Sequence, residues 1–346
     1  MSRLAVLLLI VGLSSLAFAE TSAPVEGRVT VEQLELLLTK LHSASDGKVT
    51  SKLFNLELTE RASSPRLQRW LADFPGKHTR EALLALADAS AFLDLPAAEI
   101  PPMAVPEADE LKRTFWLAVA SVVKNARELP NFSAKRNTMH FIASMPLLDL
   151  QADIPWHFYL VHKTAVTVTY RDGQEVKGDG ASEGDEPGSQ GIGLTTSGEF
   201  GPILATVIGD AVHGQVSWGH WEQGTSGPVA VVQYVVPQRA SHYTVSFGLI
   251  AIGNDRQQSK PQIPAYHGEI AIDPESGSIL RLTLDTELNP PYQEFRHSVA
   301  VEYSSVTIGD RAYICPTKAV ALSRMAVSST RRLADQIGRA SCRERV

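Results

Sequence analysis

The stretch from Phe200 to Val212 constrains this chain most. Phe200, Ile203, Leu204, Val207, Ile208, Ala211 and Val212 recur at i, i+3, i+4, i+7, i+8, i+11 and i+12, which draws one continuous apolar stripe on a helix. Pro202 falls in the first turn, where a missing N–H costs no hydrogen bond. Ser197 is placed to cap the helix, and Glu199 sits at the positive end of its dipole. Segments of period two lie on both sides. A lone amphipathic helix inside a β region must bury its stripe on a sheet. The fold class this predicts is α+β: a small N-terminal all-α domain, then a curved antiparallel sheet (an open half-barrel) covered by the amphipathic helix 200–212.

The ends of the chain read differently from its middle. Arg3 followed by the apolar run Leu4 to Leu16 and by Ala17-Phe18-Ala19 has the form of a secretory signal peptide, 1–19, with processing before Glu20. The run is too short to span a bilayer comfortably, and no other apolar run is long enough, so no transmembrane segment is expected in the mature chain. A periplasmic or secreted location follows. Residues 337–346, Ile-Gly-Arg-Ala-Ser-Cys-Arg-Glu-Arg-Val, have no apolar period and match the in-frame translation of a sequencing adapter; they are expected to be a non-native tail. Of the two cysteines, Cys315 and Cys342, only Cys315 then belongs to the fold. A net charge of −6 with no basic stripe argues against nucleic acid as a partner.

Residues 20–95 read as the all-α domain. Thr30 with Gln33 makes a capping box ahead of the stripe Leu34, Leu37, Leu38 and Leu41. Leu53, Phe54, Leu56 and Leu58 are assigned to a second helix. Ser64-Pro65 opens a third, bearing Leu67, Trp70, Leu71 and Phe74, and His78 to Leu93 is a fourth. Residues 96–128 comprise a Pro-rich linker and a long helix from Glu107 to Arg127, with Leu111, Phe115, Ala118, Val119 and Val122 on one face.

From Phe132 the period changes to two, and 129–336 reads as the β domain. Asp172-Gly173 is a hairpin turn, and 178–193 a glycine-rich acidic loop. Strands are expected at Val216 to Glu222, Val229 to Val236 and Ser241 to Ile252, with Asn254 to Pro264 a polar loop. A meander with one apolar face then runs through Asp273-Pro-Glu-Ser-Gly277 and Gly309-Asp310 turns.

The order of strands, amphipathic helix, strands and an Ile-Asp-Pro-x-x-Gly turn resembles the periplasmic lipoprotein carriers and their relatives, the LolA/RseB-type superfamily. Leu129-Pro-Asn-Phe132, Ser197-Gly-Glu-Phe-Gly-Pro202 and Ile272-Asp-Pro-Glu-Ser-Gly-Ser-Ile-Leu280 also resemble segments of secreted proteins of soil bacteria. The resemblance covers roughly Leu129 to Met325. It implies an unclosed β-barrel with helices plugging an apolar concavity, which in the carriers holds acyl chains.

Catalytic and metal motifs are weak. Gly180-Ala-Ser-Glu-Gly184 has the letters of a nucleophile elbow but lies in the acidic loop, with no strand before it and no helix directly after. The carboxylates Asp172, Glu175, Asp179, Glu183, Asp185 and Glu186 match no calcium-loop spacing. The histidine pairs His157/His162 and His213/His220 lack a third ligand. No catalytic residue, metal or cofactor is expected. Trp218 and Trp221, three apart on a strand, are expected on opposite faces.

Two readings follow. In the first, this is a non-enzymatic protein binding a lipid or acyl chain in a cavity lined by Phe200, Ile203, Leu204, Val207, Trp218, Tyr234, Phe247 and Leu282. In the second, the helix seals the sheet, no ligand binds, and the N-terminal helices contact a protein partner.

Overall fold

The computed structural model describes residues 27–144, 157–171, 174–176, 194–195, 203–247, 250–252, 255–257, 261–288, 295–325 and 336–344. Residues 1–19, expected as a signal peptide, 178–193, expected as an acidic loop and carrying the Gly-x-Ser-x-Gly letters, and Ser197 to Pro202 lie outside the described residues.

Thr30 opens the helical unit. Its hydroxyl accepts from the Gln33 N–H while the Gln33 side chain accepts from the Thr30 N–H, closing the box ahead of α1 (Val31–Leu41). α2 (Asp46–Leu53), α3 (Ser64–Asp73) and α4 (Lys77–Ala89) follow. Leu34, Leu38, Leu53, Leu67, Trp70, Phe74 and Leu83 close a common core. The second helix differs from expectation. Val49 and Leu53 form its buried side, so it starts and ends early, and Leu58 sits instead in β2 (Glu57–Leu58), paired parallel with β1 (Arg28–Val29). α5 (Ala108–Glu128) comes after the linker and buries Phe115 and Ala118.

The β region comprises β3 (Phe132–Ser144), β4 (His157–Arg171), β5 (Gln174–Val176) and β6 (Leu194–Thr195), then α6 (Ile203–Val212). It continues with β7 (Gln215–Gln223), β8 (Pro228–Val236), β9 (Ser246–Phe247), β10 (Ile250–Ile252) and β11 (Asp255–Gln257). β12 (Ala265–Ile272), β13 (Ile279–Glu287), β14 (Phe295–Ile308), β15 (Arg311–Met325) and β16 (Gln336–Glu344) complete it. Among the described residues, ten strands form one antiparallel sheet in the order β5-β4-β3-β16-β15-β14-β13-β12-β8-β7, which does not close on itself. β11 falls within the stretch expected as a loop. Residues 337–346 are expected to be a non-native tail; 337–344 lie in β16, which pairs with both β15 and β3. Strand pairing uses backbone groups that every residue carries, so a stretch without apolar period can still take a place in a sheet.

The meander is expected to have one apolar face, whereas both faces are covered. On the first face, α6 and α5 pack over Val232, Tyr234, Ile270, Leu282, Leu284 and Val301. On the second face, α4 packs Ala85 against Phe141, Val320 and Leu322, and Val229, Val231 and Ala271 form a smaller apolar patch. The run Val229-Ala-Val-Val232 is buried throughout for this reason. At the turn after β12, Gly277 has φ +71°, and a Cβ there would lie 2.6 Å from the Leu117 carbonyl oxygen. Only glycine lets that turn seat on α5.

Candidate functional site

The expected site is the sheet face beneath α6, and five of the eight residues assigned to it, Ile203, Leu204, Val207, Tyr234 and Leu282, lie in or against one core. Ile203 and Val207 of α6, Tyr234 of β8 and Leu282 of β13 share one core, with exposures of 3, 0, 1 and 1%. Leu204 is half-buried against the same core. A side chain facing a cavity wide enough for an acyl chain would keep open surface, and these four keep almost none. Phe200 lies outside the described residues. For Phe247 only the backbone, in β9, is described.

Trp218 corrects the sequence reading. A β-bulge between Trp218 and His220 makes Gly219 an extra residue, so Trp218 pairs opposite Val232 and Trp221 opposite Ala230. Both indoles therefore lie on one face, in a T-shaped contact with centroids 5.0 Å apart. A period-two count cannot register an inserted residue. Both rings are half-buried, and Trp221 Nε1 donates to the Ala104 carbonyl at 2.8 Å, tying the linker to this edge.

Sequence reasoning missed Asp210. It lies on the buried side of α6 with 3% exposure. Its Oδ2 accepts from the His242 N–H at 2.8 Å and from the Tyr266 hydroxyl at 2.7 Å, and His242 Nδ1 lies 2.6 Å from Oδ1. Burial, then the hydrogen bond and charge of Asp210, push the Tyr266 hydroxyl far up, so it stays a donor. The signal was available: a carboxylate seven residues after Ile203 and three after Val207 falls within the apolar stripe. Nearby on β14, His297 is buried, with Nε2 3.5 Å from the Tyr243 hydroxyl and Nδ1 3.4 Å from Ser323 Oγ. Burial lowers it to about 4, and it is neutral at pH 7.

The second face carries a network that spacing could not reveal, because its members come from distant segments. Glu222 Oε1 receives Arg61 Nη2 and Arg281 Nη2, each at 2.5 Å, and lies 3.0 Å from His220 Nε2. Burial works to raise this carboxyl, but the His220 hydrogen bond and the Arg281 and Arg61 charges outweigh it and hold it at about 2. Ser64 donates to Glu302, and Lys318 Nζ lies 2.9 Å from Glu302 and 3.5 Å from the buried Asp88. Arg61, Ser64 and Asp88 belong to the helical unit, so these contacts join it to the sheet. Among the described residues, His220, Glu222 and Glu269 bring metal-ligating atoms within 4.8 Å of one another. The cationic position beside Glu222 Oε1 is already taken by two guanidinium groups, so this set fits an ion-pair hub better than a metal.

A broad hollow of 430 Å³ lies elsewhere, on the helical unit, lined by Gly47, Thr50, Ser51, Phe54 and His78. Among the described residues no helix is long and apolar enough to cross a membrane.

No family model matches the chain, and no curated protein matches it. Among solved structures, it is matched to a chain from the complex of Pseudomonas aeruginosa MucA and MucB, at 10% identity over 68% of this chain and 94% of that one, with a TM-score of 0.20. At that score the likeness carries no argument about fold or function.

Proposed function

We propose that this is a non-enzymatic periplasmic or secreted protein that works as an interaction module: a sealed scaffold presenting its N-terminal helices to a protein partner. The observation that supports the reading is the packing beneath α6, where Ile203, Val207, Tyr234 and Leu282 are almost fully buried, as a core without a chain-sized void would leave them. The helical unit supplies surface for a partner: Leu36 of α1 is 58% exposed, and Phe54, beside the hollow, is 45% exposed.

Native mass spectrometry of gently purified chain from Glu20 onward tests it. The expected spectrum shows apo mass alone, also after incubation with oleate or phosphatidylethanolamine. A stoichiometric lipid adduct that Leu282→Trp abolishes would overturn the sealed-core reading and restore the acyl-chain cavity.

A further inference from the structure

The inner side of α5 packs on the sheet through Phe115 and Ala118. Its outer side has a different composition. At about 100° per residue, one arc of about 140° holds Trp116, Leu117, Ala120 and Val123. The same arc holds Lys112, Arg113, Lys124 and Arg127. All eight are exposed, Trp116 by 48% and Val123 by 43%. Between Glu110 and Glu128 the helix has no acidic residue. Carboxylates also border this face, and one of them, Asp109, falls within the arc at the same angle as Arg127. Asp109 and Glu110 lie in the first turn, Glu110 3.9 Å from Arg113, and Glu128 ends the helix. Asp273 and Glu275 belong to the turn seated on Leu117. A chain of net charge −6 thus carries a cationic helix face with an indole and aliphatic carbon along its middle.

We propose that the outer face of α5 docks on an anionic phospholipid surface, lying parallel to it. Charge is the first reason. Four cations without an intervening acid attract lipid phosphates, and their flexible stems let the charged heads reach the headgroups while Trp116 and Val123 enter the interface. Shape is the second. A convex helix matches a flat, deformable bilayer surface, whereas a folded partner needs a groove cut to fit. The proposal does not depend on the sealed core.

Vesicle co-sedimentation of the chain from Glu20 onward tests it, with phosphatidylglycerol–phosphatidylcholine vesicles against phosphatidylcholine alone. The expected result is binding to the anionic vesicles only, weakening as salt is added. The double variant Lys124→Glu/Arg127→Glu should bind at least about tenfold more weakly, and Trp116→Ser/Val123→Ser should also lose binding. Circular dichroism should show both variants folded, since all four side chains are exposed. Absence of binding to anionic vesicles, equal binding to neutral ones, or full binding by either folded variant overturns the proposal. So does a dimer in analytical ultracentrifugation that Trp116→Ser/Val123→Ser dissociates, because a second copy would then occupy this face.

Discussion

The two faces of the sheet are held by different interactions. On one, α6 and α5 lay Ile203, Val207 and Phe115 over Tyr234, Ile270 and Leu282, and stability comes from apolar area removed from water. On the other, much of the junction with the helical unit is charged: Arg61 with Glu222 and Arg281, and Ser64 with Glu302, Lys318 and Asp88. Apolar burial is non-directional and tolerates small slides. Ion pairs whose members are 10–12% exposed add little net stability, but they exact a large penalty when one partner is missing. The two faces divide the labour. The apolar face supplies the driving force, and the charged face fixes where the helices sit.

The largest expected effect breaks the charged face. Glu222→Ala leaves the Arg61 and Arg281 guanidiniums without their shared acceptor and should cost about 4 kcal/mol in urea unfolding. Replacing Arg61, Glu222 and Arg281 together by leucine should recover most of that loss, because it removes the charges along with their acceptor. A single-variant cost below about 1 kcal/mol would mean the pair behaves as solvated surface, and the contrast between the faces would vanish. Next in size, Leu282→Ala on the apolar face should cost about 3 kcal/mol, with little dependence on salt. A cost near 1 kcal/mol would indicate that the site collapses easily and that the packing under α6 is loose.

The apolar face was legible in the sequence and the charged one was not. Ile203, Val207, Ile208 and Ala211 announce their burial by period, since a helix on a sheet needs a stripe. Leu282 and Leu284 announce theirs by alternation with Arg281, Thr283 and Asp285. Arg281 in that alternation reads as solvent-facing. It is instead nearly enclosed, because the helical unit brings Arg61 to the same Glu222 from a point remote in sequence. No local pattern encodes a pairing across 161 residues. The bulge at Gly219 defeated the period for a different reason: one inserted residue flips the face of everything after it. Asp210 was visible as a charge inside an apolar stripe, but its partners Tyr266 and His242 were not, because they lie on other elements.

The smallest expected effect separates the faces by pH. His297, on the apolar face, has an ordinary value of 6.5 and is held by burial at about 4. Between those values the unfolded chain binds a proton that the folded chain refuses, so stability falls as pH falls and levels off below about 4. From about pH 7 to about 5.5 this amounts to roughly 1 kcal/mol. Glu222, on the charged face, moves from 4.5 to about 2 on folding and is ionised in both states over that upper range. Its contribution is fully present above about 4.5 and is lost as pH drops toward 2. His140 shares the upper window, since burial and then the neighbouring His162 bring it to about 4, so a variant is needed to assign the slope. His297→Phe should remove about 1 kcal/mol of the loss between about pH 7 and 5.5 while leaving the loss below 4.5 intact. An unchanged upper slope in that variant would move the acid sensitivity off the apolar face and onto His140, whose ring stacks on His162 with centroids 4.1 Å apart on the paired strands β3 and β4.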